Sequence, residues 1–317
     1  MARRVLSTAS MRRPTRLVSQ ALVMSLTRAA SVTSCSAADG QLPYTLLSKV
    51  PLGADSNSCL LRFALPPERQ SLGEDPTLPT CLKVLHPNGT DEAGAPKLLE
   101  KSYSPVSHPA KKGEVELLVK AYKPRPGGGV GAYICDLEAG DTMHATLKSK
   151  RVMHGDAQVL RRWSNIGLVG GGTGVAPLIQ IARLVLSDPD EGARVKMLSI
   201  NRYEQDILMR KELDALAAEH PDRFEVAYSL TSPPAGWGSH TGRGSPEMVR
   251  ATLPPPASAD GSTMIFVCGT DGFVEMWGGP VGRAPKKADG SKGAKIQGPL
   301  TGLLAAAGFD PSEVFKY

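Results

Sequence analysis

An apolar strand that runs into a cluster of glycines and then into a helix is the feature that most constrains the fold. The strand is Ile166–Val169, glycines surround Thr173, and an apolar stripe with helical spacing begins at Val175. Consecutive glycines let the backbone approach a pyrophosphate, and the following helix N-terminus presents unpaired N–H groups. The spacing is not that of G-x-G-x-x-G, because the third glycine falls on Val175 or Pro177. For this motif alone, a tight turn that serves only packing is an alternative explanation.

The remainder of the second half alternates strands with helices. Strands are predicted at Val195–Ile200, Phe224–Leu230 and Met264–Cys268, and helices at Ile207–His220, Pro246–Thr252 and Pro299–Ala307. This alternation predicts a doubly wound parallel sheet in an α/β domain over residues 160–317. Residues 278–298 are rich in Gly, Lys and Pro, which indicates a flexible insert before the last helix.

The first half has a different rhythm, with short apolar or alternating runs separated by turn residues. The runs are Cys59–Leu65, Thr80–Leu85, Glu114–Tyr122 and Met143–Leu147. Many short strands with Pro- and Gly-rich turns predict a small antiparallel β-barrel over residues 42–150.

Positive charge is concentrated at the N-terminus. Six of the 37 basic residues lie in residues 1–38, all of them arginines, and the first acidic residue is Asp39. The other 31 basic residues match the 31 acidic ones, which argues against a nucleic-acid-binding surface. An acid-free segment rich in Arg and Ser is typical of a mitochondrial presequence, with a disordered basic tail or a plastid address as alternatives. The sequence contains no run of 18 apolar residues, so we predict no transmembrane helix.

The cysteines and histidines predict no metal site. The five cysteines show no C-x-x-C spacing, and the six histidines are scattered without a pair three or four residues apart. We therefore expect neither a zinc site nor a disulfide framework.

Two further motifs gain meaning from their order along the chain. Lys101–Ser107 sets a cation, a ring and a hydroxyl beside Pro105, although a surface strand end is the simpler explanation of that segment alone. Phe266–Phe273 carries an apolar strand into a Cys-Gly turn, where Cys268 could equally be a buried structural cysteine.

Together the three motifs resemble the NADH–cytochrome b5 reductase branch of the ferredoxin–NADP reductase superfamily, over nearly all of residues 42–317. The matching segments are Lys101–Ser107, Val119–Tyr122, Gly140–Asp141, Gly171–Pro177, Asp206–Leu208, Glu212–Leu213, Tyr228–Leu230, Trp237 and the aromatic end at Tyr317. The resemblance implies an FAD-binding barrel and an NADH-binding α/β domain.

The resemblance also implies roles for individual residues. Tyr103 would stack on the flavin, Ser104 would hydrogen-bond its N5, and Thr173 would lie between flavin and nicotinamide. Ser104, Thr173 and Cys268 form the implied catalytic set. The implied cofactor-binding residues are Lys101, Tyr103, Ser104, Ser107, Val119, Lys120, Tyr122, Gly131, Gly171, Gly172, Thr173, Gly174, Pro177, Cys268, Gly269 and Tyr317.

Some positions depart from the family pattern on the FAD side. Lys101 replaces an arginine, and Gly129 and Gly131 replace the lysine and serine of a turn over the pyrophosphate. Lys101 keeps the positive charge of arginine but cannot make its paired, bidentate hydrogen bonds.

The choice of coenzyme depends on the residues that follow Val195–Ile200, the second predicted strand of the α/β domain. Acids there, such as Glu204, disfavour a coenzyme phosphate, whereas Arg202 could bind one, so NADH is the favoured coenzyme.

The predicted function is hydride transfer from NADH to FAD, followed by single-electron transfer to a haem protein such as cytochrome b5. One alternative is a haem reductase that assists cytochrome c maturation, because the Cys268–Phe273 turn resembles such mitochondrial flavoproteins. The other is a structural subunit of a large mitochondrial complex that has lost turnover, motivated by the missing phosphate contacts.

Overall fold

The computed structural model describes residues 40–53, 57–72, 79–90, 96–122, 129–148, 162–257, 261–286, 293 and 295–317. For residues 87–90 and 96–98 it describes the backbone alone. The predicted presequence, residues 1–38, lies outside the described residues, and so do Gly128 and the segment 149–161.

Within the described part of residues 41–148, six strands form one antiparallel sheet. They are β1 (Gln41–Leu52), β2 (Ser58–Ala64), β3 (Cys81–Thr90), β4 (Pro96–Tyr103), β5 (Glu114–Lys120) and β6 (Thr142–Lys148). The order is β4-β3-β6-β1-β2-β5, and a bridge between Pro105 and Leu117 joins the two edges. The predicted antiparallel barrel is therefore confirmed.

The barrel interior follows from alternation along the strands. On β5, Val115, Leu117 and Val119 are fully buried, and on β2 Leu61 and Phe63 are buried with them. Alternate residues of a strand point to one face, so this pattern fills the barrel with apolar side chains. Helix α1 (Val130–Asp136) packs against β5 and three other strands of this sheet.

The second sheet is parallel throughout its described strands, in the order β10-β9-β8-β7-β11-β14. The strands are β7 (Asn165–Gly171), β8 (Arg194–Asn201), β9 (Phe224–Leu230), β10 (His240–Thr241), β11 (Thr263–Cys268) and β14 (Val314–Lys316). The helices are α2 (Val175–Ser187), α3 (Arg210–Glu219), α4 (Pro246–Thr252), α5 (Asp271–Gly278) and α6 (Gly302–Ala306). Helices α2 and α3 pack on one face, and α4, α5 and α6 on the other, which confirms the doubly wound α/β prediction.

Several predicted boundaries were wrong. Helix α3 begins at Arg210 instead of Ile207, because residues 204–206 form a separate 3-10 turn and Met209 has a left-handed φ of 59°. Helix α6 begins at Gly302, whose φ of 71° excludes a helix that runs through it from Pro299. The segment 278–298 is not simply a flexible insert, since β12 (Val281–Arg283) pairs with β13 (Lys295–Gln297).

Candidate functional site

The glycine turn lies at the carboxyl end of β7, the edge where open parallel sheets bind ligands. Gly172 has a left-handed φ of 54°, residues Gly172–Gly174 form a 3-10 turn, and α2 starts directly after them. A side chain at Gly174 would overlap the carbonyl oxygen of Cys268. Glycine is therefore required here because this turn touches the end of β11. Pro177 is buried within the first turn of α2.

The Cys-Gly turn forms the facing wall of this crevice. Cys268 is half-buried and ends β11. The ring of Phe273 would lie 2.5 Å from a Cβ at Gly269 and 3.1 Å from one at Gly171. A single aromatic ring thus packs against a glycine of each turn, a contact that the sequence analysis did not anticipate.

The C-terminal residue reaches the same edge of the sheet. Strand β14 pairs with β11 so that Lys316 lies opposite Val267, and the Tyr317 N–H donates to the Val267 carbonyl at 2.9 Å. The Tyr317 ring is buried and packs edge-on against Phe315, with centroids 5.2 Å apart. Tyr317 consequently lies next to the Cys268 position.

On the barrel side, three residues of the flavin motif region pack together. The Lys101 ammonium lies 5.6 Å from the Tyr103 ring centroid and 5.3 Å from that of Tyr122. Tyr122 is 54% exposed, whereas Tyr103 is buried and its phenol oxygen has no hydrogen-bond partner among the described residues. Burial raises the pKa of the Tyr103 phenol, so it is a neutral donor at physiological pH. The cluster therefore presents the Lys101 cation, the solvent-exposed Tyr122 ring and the buried Tyr103 hydroxyl, which bonds no described residue.

The other motif residues on this side differ in accessibility. Ser104 and Lys120 are half-buried, and each follows or ends a barrel strand. The Ser107 hydroxyl is buried and accepts the Glu116 N–H at 3.0 Å, which fixes the turn after the motif against β5. Val119 is fully buried in the barrel core, so its side chain contacts barrel residues.

The glycine at position 131 has a steric cause. A Cβ on Gly131 would lie 2.6 Å from the Lys120 carbonyl oxygen and 3.4 Å from the Tyr103 hydroxyl. Helix α1 therefore packs so closely on β5 that the family's serine does not fit without displacement. A Cβ on Gly129, at the helix N-cap, meets nothing within 4 Å.

The two halves of the site meet along α2 and β5. The Gly172–Gly174 turn contacts β5. On α2, the Gln180 side chain bonds Thr80 and the Pro105 carbonyl, and the Arg183 guanidinium donates to the Val106 carbonyl. Sequence reasoning missed these residues, although two polar side chains inside an otherwise apolar helical segment were a visible signal.

A surface depression of ≈ 380 Å³ lies near the carboxyl ends of β8 and β9. Arg210 lines it, and its guanidinium lies 5.4 Å from the Tyr228 ring centroid and 5.8 Å from that of Trp237. Arg210 pairs with Glu204 at 2.6 Å and with Asp214 at 3.8 Å, and the Glu204 hydrogen bond raises its pKa. The Arg210 charge is thus largely compensated within the chain.

Across the described ranges, no group of three or more His, Cys, Asp or Glu side chains is placed to hold a metal ion. No helix in the part of the chain that the structure covers has the length and apolarity needed to span a bilayer.

Comparison with known proteins identifies the family. Residues 44–148 match the oxidoreductase FAD-binding domain, and residues 168–278 match the oxidoreductase NAD-binding domain. The human protein named NADH-cytochrome b5 reductase 2 is 31% identical over 255 residues, which cover 75% of this chain and 88% of the relative. The chain belongs to the NADH–cytochrome b5 reductase family. The predicted family is thereby confirmed, and the two domain matches support the predicted FAD and NAD sites.

Two further similarities bear on length and fold. A Coccidioides immitis protein, also named NADH-cytochrome b5 reductase 2, is 33% identical over 217 residues, or 68% of this chain. The chain spans about three fifths, 61%, of that relative's length. The cytochrome b5 reductase domain of Ulva prolifera nitrate reductase has a TM-score of 0.66 at 23% identity, covering 87% of this chain and 97% of that domain. The last similarity concerns the fold alone.

The residues present fit both family cofactors. The Tyr103 hydroxyl, which bonds no described residue, supplies a donor for a flavin nucleotide, the exposed Tyr122 ring a stacking surface and the Lys101 ammonium a cation. The Gly171–Gly174 turn leaves backbone accessible at a helix N-terminus, which suits a dinucleotide pyrophosphate.

Proposed function

We propose that this reductase-family chain transfers electrons from NADH through FAD to a haem protein such as cytochrome b5. The observation that carries the proposal is the contact between the Gly172–Gly174 turn and β5, the strand on which Leu117 bridges to Pro105 of the flavin motif. That contact brings the dinucleotide turn to the barrel strand that borders the flavin motif. Hydride transfer requires such proximity, because reacting atoms must be held about 3–3.5 Å apart.

Binding and orientation are the proposed work of the chain's own residues. FAD, when bound, takes up a hydride from NADH and gives up electrons one at a time. Tyr103 and Tyr122 supply ring and hydroxyl contacts, Lys101 supplies charge for a phosphate, and Ser104 donates from the turn. The proposed role of the buried Tyr317 ring and of Phe273, which packs on Gly171 and Gly269, is to keep water from the reacting rings.

The proposed catalytic set of Ser104, Thr173 and Cys268 needs no proton relay. Thr173 lies in the turn that contacts β5, and Cys268 ends the strand that faces this turn. Their proposed role is to hold the ring that donates hydride against the ring that accepts it. Glycine at 174 and 269 lets the Cys268 carbonyl and the Phe273 ring pack directly against the backbone of the two turns, which holds the turns together.

Preference for NADH over NADPH is supported by the depression around Arg210. The coenzyme's far ribose lies toward the second strand of such sheets, where an acidic residue selects the free 2′-hydroxyl. Glu204 lines the depression and Asp214 pairs with Arg210 beside it, so a coenzyme phosphate there would meet carboxylates instead of a free cation.

An anaerobic titration of the purified, FAD-loaded chain tests this proposal. We expect NADH to bleach the flavin absorbance band at lower concentrations than NADPH does. A chain that stays colourless after expression with ample riboflavin, or a flavin that NADH does not bleach, would contradict it and favour a structural subunit. Comparing cytochrome b5 with free haem as acceptor distinguishes the reductase from a haem reductase of cytochrome c maturation.

We also propose a mitochondrial location, supported by the six arginines and the absence of acids in residues 1–38. The test is import of a fluorescent protein that carries residues 1–38 at its N-terminus. Mitochondrial fluorescence that disappears when the six arginines are changed to glutamine would support the proposal. Diffuse fluorescence of the unchanged fusion would contradict it.

A further inference from the structure

We infer that Gln180 is a positioning residue for hydride transfer, because its side chain links the flavin motif to the helix that follows the dinucleotide turn. The inference rests on the proposed function and assigns a further residue to that site. Its side chain acts through Pro105 and Thr80.

The geometry of this link is specific. The Gln180 Oε1 accepts the Thr80 N–H at 3.0 Å, and its Nε2 donates to the Pro105 carbonyl at 3.2 Å and lies 3.4 Å from the Thr80 hydroxyl. Both ends of one carboxamide are therefore used, and both partners belong to the barrel. Pro105 directly follows Ser104, and Gln180 lies six residues after Gly174 on the same rigid unit.

Burial makes the link strong. Gln180 is 1% exposed and Thr80 is fully buried, so water cannot replace either bond if the carboxamide is removed. A buried backbone N–H and a carbonyl left without partners carry the full cost of desolvation. The relaxed interface would find another arrangement, and the motif would shift relative to the glycine turn.

The same face of α2 contains a natural control. Gln180, Arg183 and Ser187 follow one another at helical spacing, and all bond the barrel. Ser187 is exposed at the end of α2, where it bonds the His108 ring at 3.0 Å. It belongs to the same interface but lies about two turns further from the glycine turn.

The experiment compares Gln180→Met with Ser187→Ala in the FAD-loaded chain. Met keeps length and volume while removing both polar ends. We expect the rate of flavin reduction at saturating NADH to fall about 10–100-fold, since small displacements of reacting groups cost that much. The NADH concentration for half-maximal rate should change less than about 3-fold, and Ser187→Ala should behave like the wild type.

A second measurement does not depend on turnover. In the FAD-free chain, hydrogen exchange at the Thr80 amide should be slow in the wild type and in Ser187→Ala, and fast in Gln180→Met. Should Gln180→Met fail to fold, Gln180→Glu replaces it, since a neutral buried carboxyl keeps an acceptor for the Thr80 N–H and has one O–H in place of the two N–H donors.

Two outcomes separate this inference from the proposed function. A wild-type flavin that NADH does not reduce would overturn the function. If the wild type is reduced and Gln180→Met reduces its flavin equally fast, with only a lower unfolding midpoint, Gln180 is merely structural and the inference is overturned.

Discussion

The ammonium of Lys316 donates a 3.0 Å hydrogen bond to the carbonyl oxygen of Gly278, at the end of α5. It also lies within 3.1 Å of the carbonyl oxygens of Pro280, Gly298 and Pro299. The residue is 2% exposed, so carbonyl dipoles replace water around the charge. This single side chain joins the C-terminal strand to both ends of the 278–298 segment, directly before Tyr317.

Replacing Lys316 with Met should therefore destabilise the protein. The ammonium's contacts with one buried and three part-buried carbonyl oxygens would be lost, and we expect the free energy of unfolding to fall by about 2–3 kcal/mol. Urea denaturation measures the change. Lys211→Met, at an exposed position of α3, is the matched control and should stay within about 0.5 kcal/mol of the wild type. If Lys316→Met and Lys211→Met are equally stable, the contacts of the Lys316 ammonium with the four carbonyl oxygens contribute nothing to the free energy of unfolding.

The close packing of α1 on β5 makes a second prediction. Gly131→Ser should lower stability by about 1–3 kcal/mol, because its Cβ would lie 2.6 Å from the Lys120 carbonyl oxygen. Gly129→Ser makes the same chemical change at the helix N-cap, where space is open and serine is favoured, so it should be neutral or stabilising. The midpoints of thermal unfolding of the two variants test this prediction. An unchanged midpoint for Gly131→Ser would contradict the steric explanation.

The main architecture was predictable because the spacing of apolar residues along the chain directly indicates whether a segment is a strand or a helix. The strand, glycine turn and helix from Ile166 onward carry their signal within a short window. Strand β1 was missed because the register with β2 shifts between Leu46 and Ser48, which breaks the alternation of buried and exposed residues. Helix α5 was missed because Thr270 to Gly272 has the composition of a turn, yet it forms the start of the helix.

The site was predictable only in part, for a different reason. The motif residues Tyr103 and Thr173 were found because the family pattern marks them. Gln180 and Lys316 were not found, since their partners are backbone groups at least seventeen residues away, on elements that sequence alone does not place together. The Phe273 ring was missed for the same reason: its contacts at Gly171 depend on the tertiary approach of two strands.

The histidine at the domain contact makes stability depend on pH. The His108 Nδ1 accepts the Ala110 N–H at 3.0 Å, and burial together with Arg183 lowers the His108 pKa below its usual 6.5. The unfolded chain binds a proton more readily than the folded one, so stability holds above pH 6.5 and declines as the pH falls below it. We expect the urea midpoint to drop between about pH 7.5 and about pH 5.5. His108→Gln should reduce that drop; an unchanged pH dependence would remove His108 as its source.

Coenzyme choice should respond to the carboxylates near Arg210. Glu204→Gln removes an acid from the depression and leaves the Arg210 guanidinium less compensated, which favours a coenzyme phosphate. We expect the ratio of kcat/KM for NADPH to that for NADH to rise about 3–10-fold. Glu225→Gln removes the same charge at the other end of β9, where Glu225 pairs with Lys196, and should leave the ratio unchanged. Equal ratios in both variants would place the coenzyme phosphate elsewhere.

The unpartnered phenol of Tyr103 makes opposite predictions for the free and the FAD-loaded protein. Without FAD, Tyr103→Phe removes a buried hydroxyl that bonds nothing in the described chain, so stability should stay equal or rise by about 1 kcal/mol. If the Tyr103 hydroxyl bonds FAD, Tyr103→Phe should weaken FAD binding about 10-fold. Titration of the apoprotein with FAD, followed by flavin fluorescence, measures this change. Tyr44→Phe is the matched control, because the buried Tyr44 hydroxyl also has no partner among the residues that the structure describes, whereas its ring lies fully inside the barrel core. Tyr44→Phe should leave FAD affinity unchanged. If Tyr103→Phe also binds FAD as the wild type does, the hydroxyl is not part of the flavin site, and the ring alone accounts for the tyrosine at this position.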